Sequence, residues 1–454
     1  EMRGPWLDEF CEQAGMQAFL NAAQNYPLLK GVQTNLYKCF LPQAWMASNA
    51  QGVAGFLHPE GLYDDPKGEA FRAEVYPRLR GHFQFQNQRM LFPIGHRVKF
   101  SINIYRCQSR SDPNFDSISN LFAARTIDAS YHHDGLGSVG GIKHDHGEDW
   151  NEVGHASRVL HVDKDRLALF AKLYDKEGTP AVAARLPTLH AEELVNVLEK
   201  FASQPRRLGD LKGEYFSTVM FDETYAQRDG TIRRETHFPA DAKHWILSGP
   251  HFFVGTPLYK TPRAVCTEKG HYDCLDLTRL PDDYLPRTNY VPDCSLAEYA
   301  DRTPRVPWGG AGADRSQRVT SYFRFIARSM LSQAGERTLI SGVFPPGVGH
   351  IDPCNSLTFE KLSNLIAFGT ASISVVADFW VKTTGNPRFR DNLARFMPVP
   401  ELPLMAYSRY LALNCITQYY ANLWQSCFEA RFREQRWSST SHLLDSDFFA
   451  NLPP

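Results

Sequence analysis

Asn35-Leu36-Tyr37-Lys38-Cys39-Phe40, Gly52-Val53-Ala54-Gly55-Phe56-Leu57-His58-Pro59-Glu60-Gly61 and Leu91-Phe92-Pro93-Ile94-Gly95-His96-Arg97-Val98-Lys99-Phe100-Ser101-Ile102-Asn103-Ile104-Tyr105 are the stretches on which the fold turns. Leu36 to Met46 has helical periodicity. Val53 to Pro59 is a short apolar run ended by proline, the pattern of a buried parallel strand. Glu69 to Arg80 reads as a helix, and His82-Phe83-Gln84-Phe85 and Val98 to Tyr105 read as strands, the second alternating with period two. The order helix, strand, helix, strand, strand predicts an α/β segment.

Working outward, residues 108–154 are rich in Ser, Asp, Gly and His and are expected to form a linker or long loop. Leu167 to Tyr174 and Ala191 to Phe201 have apolar residues at helical spacing around Pro180 and Pro187, which predicts a helical connector. Beyond Pro205, strand-like runs at Tyr215 to Phe221, His244 to Val254 and Leu339 to Phe344 predict an α+β domain ending in helices. The expected layout is an α/β part over residues 1–110, a loop and helical connector over 111–205, and the α+β domain over 206–454.

A chain of 454 residues that is 43% hydrophobic can bury ordinary cores in about two or three domains. No apolar stretch approaches the roughly 20 residues that span a bilayer, and the N-terminus lacks a charged-then-apolar export pattern, so a cytoplasmic protein without a membrane partner is expected. Nine cysteines, an odd number scattered singly, read as reduced thiols. A net charge of −1 gives no overall positive field, so any surface for nucleic acid must be local. Glu1 and Pro454 both read as ends cut from something longer.

The three opening stretches resemble the later motifs of gamma-class adenine-N6 DNA methyltransferases: an Asn-Leu-Tyr helix, a Gly-x-x-x-Phe-hydrophobic-x-Pro strand, and a Phe-Pro turn that opens a β-hairpin. The resemblance implies that residues 1–110 are the C-terminal portion of an incomplete, Rossmann-like methyltransferase domain using S-adenosylmethionine. It places Phe40 against the cofactor's adenine, with Asn35 also in the cofactor site, and Phe92 beneath the extruded target base. The chemistry is coherent, because a methyl donor cannot reach an adenine amine inside a stacked duplex and an extruded base needs an aromatic face to rest on. The alternative for both rings is ordinary core packing. The family also needs an Asn/Asp-Pro-Pro-Tyr/Phe loop and a glycine-bearing cofactor loop, and neither occurs here; the only Pro-Pro pairs are Pro345-Pro346 and Pro453-Pro454. These residues alone are therefore expected to be inactive, with the sheet open on the side where earlier strands belong.

Leu362 to Thr370, Ala371 to Lys382, Thr383-Thr384-Gly385-Asn386-Pro387 and Phe389 to Pro400 resemble the closing part of target-recognition domains in type I specificity subunits and fused restriction–modification methyltransferases. Glu336 to Gly347 is similar to the same enzymes. The resemblance implies double-stranded DNA as partner, with other subunits of a restriction–modification or phage-defence system as a further class. The arginine fork suits phosphates and guanine edges; Arg97, Lys99, Arg315, Arg318, Asn386, Arg388 and Arg390 are the expected DNA contacts, against a bland reading as solvated or salt-bridged charges. A non-catalytic specificity or scaffold subunit that docks a separate methyltransferase is the rival. No metal is expected. His144-Asp145-His146 with Glu148 and Asp149 reads as a solvated loop, and Cys266, His271, Cys274 and Cys294 lack a Cys-x-x-Cys pair. Gly135 to Gly141 reads as a flexible turn, not a phosphate loop.

Overall fold

The computed structural model describes residues 3–144, 149–268, 270–309, 317–332 and 335–454, and the chain separates into two compact units. The first comprises residues 1–203 with 383–385, the second 204–382 with 386–454.

The first unit runs α1 (Arg3–Asn21), α2 (Leu36–Ala47), β1 (Val53–Pro59), α3 (Gly61–Asp64), α4 (Glu69–Val75), β2 (Leu79–Gln86), β3 (Lys99–Arg106), β4 (Asn114–Leu121), α5 (Arg125–Tyr131), β5 (Leu160–Asp163), α6 (Lys164–Tyr174) and α7 (Glu193–Ala202). Its sheet has the order β1-β3-β2-β4-β5. β3 lies antiparallel between β1 and β2, β2 and β4 are parallel, and β5 closes the far side antiparallel to β4.

Three expectations change. Val53–Pro59 is an edge strand paired antiparallel with β3, and Val53 and Leu57 are exposed, so the run is apolar without being buried. The helix from Glu69 stops at Val75, because Pro77 has no N–H to continue it. The polar stretch expected as a long loop supplies β4 and α5, and the two expected helices, α6 and α7, cluster with this unit together with β5.

Period-two alternation gives the sheet two unlike faces. On one, Phe85, Phe100, Ile118 and Leu121 form a buried cluster with Phe83, Ile102, Ile127 and Val159 against it. Burying each of these side chains stabilises the fold by roughly 1.5–3 kcal/mol before chain entropy is counted. On the other, His82 pairs across from Asn103 and Ser117, and Gln84 from Ser101, and all five are buried.

The second unit contains β6 (Tyr215–Thr218), α8 (Glu223–Arg228), β7 (Ile232–His237), β8 (Ile246–Leu247), β9 (Lys260–Pro262), β10 (Tyr272–Cys274), β11 (Thr288–Pro292), α9 (Leu296–Asp301), β12 (Arg324–Arg328), β13 (Ser341–Phe344), β14 (Gly349–His350), β15 (Cys354–Phe359), α10 (Leu362–Ser372), α11 (Val375–Thr383), α12 (Asp391–Ala394), α13 (Leu404–Asn414) and α14 (Ala421–Cys427). An antiparallel sheet of order β13-β12-β15-β6 packs on α10, and Trp245, Phe252, Leu258, Ile326 and Phe344 anchor one core. Among the described residues no single helix is long and apolar enough to cross a membrane.

Candidate functional site

The first unit presents two candidate features, a buried polar network on one sheet face and an exposed aromatic turn between β2 and β3. The network begins where β1 ends at Pro59 and delivers Glu60 onto the polar face. The Glu60 carboxylate meets His82 Nε2 at 3.2 Å and accepts from Gln84 Nε2 at 3.0 Å. His82 Nδ1 reaches Ser117 Oγ at 2.9 Å, and Gln84 Nε2 also donates to Thr188 Oγ1 at 3.0 Å. Tyr63, from α3, donates to Asn103 Oδ1 at 2.6 Å and meets the Tyr105 hydroxyl, which reaches His58 Nε2 at 2.9 Å. Tyr37 of the Asn-Leu-Tyr helix stacks on His58 at 5.1 Å, tying α2 to the same network.

Electrostatics sort these groups. Burial opposes charge on Glu60, but the attraction of His82 and hydrogen bonds from His82, Ser101 and Gln84 hold its carboxyl down at about 2. Burial, then the Glu60 charge, pushes the nearby Asp64 carboxyl up to about 6 against the pull of Lys99 and Arg185. Burial lowers the Lys99 ammonium, although Glu60 and Asp64 work the other way. Lys99 Nζ is shut off from solvent without a hydrogen-bond partner among the described residues, as is Gln84 Oε1.

The aromatic turn is held differently. Residues 89–98 are exposed, and Phe92 keeps 37% of its surface open. Its ring meets Phe100 edge-on at 5.0 Å and 89°, and Phe100 stacks on Phe85 at 5.4 Å. The buried Asn87 side chain donates to Phe92 O and Ile94 O and accepts from Phe92 N, at 3.0, 2.9 and 3.1 Å. A partly exposed phenyl ring at the tip of a hairpin, in T-shaped contact with Phe100 and held through its backbone, can offer a flat ligand its exposed surface.

The sequence matches no family model and no curated protein. The fold does find similar solved structures. One is the type IIL restriction–modification enzyme MmeI in complex with DNA, at TM-score 0.36 and 9% identity, over 90% of this chain and 48% of that one. Another is the type IIG restriction endonuclease BpuSI, at TM-score 0.27 and 8% identity, over 86% of this chain and 46% of that one. This chain thus spans about half the length of either.

Phe40 is 59% exposed on α2, and Asn35 is exposed at the start of that helix in extended conformation, its side chain making no cap bond. Arg97 is exposed. Lys99, two residues on, needs correction: alternation along β3 turns it onto the polar face, so its buried ammonium is not presented to a polyanion. In the second unit Arg318 pairs with Asp301 and donates to Thr303 O. Arg388 and Arg390 meet on one carboxylate, Asp352, at 3.2 and 2.6 Å, with side chains 57% and 21% exposed. The more exposed Arg388 pair contributes little, about 0–1 kcal/mol, and does not stop that arginine from exchanging to another anion, whereas Arg390 is mostly buried and also donates to Asp352 O and Cys354 O at 3.3 and 3.5 Å. Asn386 is half-buried. Arg315 lies outside the described residues, as do residues 145–148 of the His-Asp stretch and residues 310–312 of the glycine turn after Trp308. Among the described residues no cluster could hold a metal ion, and Cys266, Cys274 and Cys294 are free thiols.

Sequence reading missed Asn87, Glu60, His82 and Gln84. The signal for Asn87 was local: an Asn five residues before a Phe-Pro turn and directly after an alternating strand.

Proposed function

We propose that this chain is the rear part of a site-specific DNA methyltransferase that moves a methyl group from S-adenosylmethionine to adenine N6, supplying the base-stacking turn and the surface that reads DNA. The observation that carries the reading is Phe92: a partly exposed ring in T-shaped contact with Phe100 at the tip of a β-hairpin. The motif order around it and the pairing of β2 with β3 on either side of Phe92-Pro93 support the same reading. S-adenosylmethionine would supply the methyl group. The exposed ring of Phe40 fits a purine face, and Phe40 and Asn35 are the residues of this chain that would hold it. The second unit, through Arg318, Arg388, Arg390 and Asn386, would engage phosphates and base edges of double-stranded DNA. Because no Asn-Pro-Pro-aromatic loop occurs in these residues, the groups that hold the adenine amine must come from residues beyond them. The second reading is a specificity subunit docked on a separate methyltransferase, which would need neither a base-stacking hairpin nor a cofactor-facing helix.

The test is to express the whole gene that encodes this chain in a host lacking adenine methylation, and to map N6-methyladenine by single-molecule sequencing. Methylation confined to one short sequence and lost on Phe92→Ala supports the enzyme. Unmodified DNA from a soluble, DNA-binding product contradicts it, and modification that appears only with a second gene favours the subunit.

A further inference from the structure

The turn that presents Phe92 has little of its own to hold it. From Arg89 to Val98 every residue is exposed, and inside the turn only the Phe92–Phe100 ring contact and two backbone bonds, Ile94 N to Phe92 O at 2.8 Å and Val98 N to Gly95 O at 3.0 Å, add to its shape. The side-chain bonds across it come from Asn87, just before the turn. Asn87 is fully buried, its backbone N–H donates to Val98 O at 3.0 Å across the mouth of the turn, and its carbonyl accepts from Met90 N at 2.9 Å. Met90 then takes a left-handed conformation at φ 51°, which reverses the chain toward Phe92. The amide side chain spans the loop: Nδ2 donates to Phe92 O and Ile94 O, and Oδ1 accepts from Phe92 N. Only a side chain with both donors and an acceptor at that length makes all three bonds.

We infer that Asn87 is the positioning residue for base stacking: it holds the Phe92 backbone so that the ring stands against Phe100 with its outer face ready for an extruded base. This rests on the stacking role proposed for Phe92. A preset ring receives the base without ordering the loop at each turnover; a released loop must order at that moment. Asn87 touches no substrate, and its effect passes through Phe92.

The experiment uses the full gene product and a duplex with 2-aminopurine at the adenine located by the methylation map, because 2-aminopurine brightens when it leaves the stack. Fluorescence on binding, single-turnover methylation rate and duplex affinity are measured for the parent, Asn87→Ala, Phe92→Ala and the double variant. Asn87→Ala should lose roughly tenfold in rate, a large part of what a stacked base contributes, with altered 2-aminopurine emission and affinity within about threefold, because phosphate contacts made elsewhere hold the duplex. The double variant should match Phe92→Ala, since Asn87 then has nothing left to position. Should Asn87→Ala fail to fold, Asn87→Asp carries the same expectation, since it keeps the acceptor for Phe92 N and lacks both donors. A normal rate and emission in the Asn87 variants beside a defective Phe92→Ala, or fully multiplicative losses in the double variant, would overturn the inference while leaving the stacking reading intact. A Phe92→Ala protein with unchanged rate and emission would overturn both.

Discussion

The two faces of the five-stranded sheet are built from the same strands and obey opposite rules. On the Phe85–Phe100–Ile118–Leu121 face, stability comes from apolar area and close packing, terms that do not change with pH. Across the sheet His82, Gln84, Ser101, Asn103 and Ser117 are equally hidden, and their burial is tolerable because nearly every polar atom finds a partner, with Glu60 at the centre. The apolar face can lose a methylene and repack. The polar face cannot lose a partner without leaving a charge or a donor stranded in a poor solvent.

That contrast can be broken experimentally. His82→Leu strands the Glu60 carboxylate, and removing one partner of a buried pair costs about 3–5 kcal/mol. Urea denaturation at pH 7 should show that loss, and it should shrink at acid pH where Glu60 takes up a proton. Ile118→Val on the opposite face should cost only about 0.5–1.5 kcal/mol, equally at both pH values. Equal pH dependence in the two variants would mean that the faces do not differ as described.

The parent's own pH profile is the second test. Glu60 is depressed from 4.5 to about 2, so its contribution is fully present above pH 4.5 and is lost as pH falls through 2, a span of ~3 kcal/mol. Asp64 is raised from 3.8 to about 6, so its contribution is present below 3.8 and lost as pH rises through 6. Stability should therefore climb from pH 2 toward 4 and decline between about 4 and 6. Asp64→Asn should abolish the decline and keep the climb; a decline that survives in this variant assigns it to other groups.

The smallest effect separates Arg97 from Lys99. Arg97→Ala should reduce the log–log salt slope of duplex binding by about one, and Lys99→Ala should leave the slope unchanged because that ammonium faces inward. A slope change for Lys99 alone would mean that β3 turns the other way in the DNA complex.

What was legible in the sequence follows the same divide. Helix and strand periods placed α2, β1, β2 and β3 within a few residues, because Leu36 to Met46, His82 to Phe85 and Val98 to Tyr105 carry strong patterns. Alternation says which residues share a face. It does not say which face meets water, and His82 and Gln84 read naturally as the wet side. Their cover is supplied by Tyr63 and by Thr188, more than a hundred residues from Gln84, and no local pattern announces that contact. β4 is hidden for the same reason: Asn114-Phe115-Asp116-Ser117-Ile118-Ser119-Asn120-Leu121 looks too polar for a core, yet Ser117, Ser119 and Asn120 are buried. A motif singles out Phe92, and nothing comparable singles out Asn87, because a turn's hydrogen bonds are set by a conformation that composition does not reveal.

The proposed function stands most directly on Phe92, and one paired measurement tests it: methylation rate at saturating DNA and duplex affinity, for the full gene product and its Phe92→Ala variant. Loss of a stacked base is worth roughly 1–3 kcal/mol, while phosphate contacts elsewhere hold the duplex. The expected result is a rate reduced by about 5- to 150-fold with affinity changed by less than about threefold. Weakened binding with a normal rate at saturation would contradict it and return Phe92 to the role of a ring resting on Phe100.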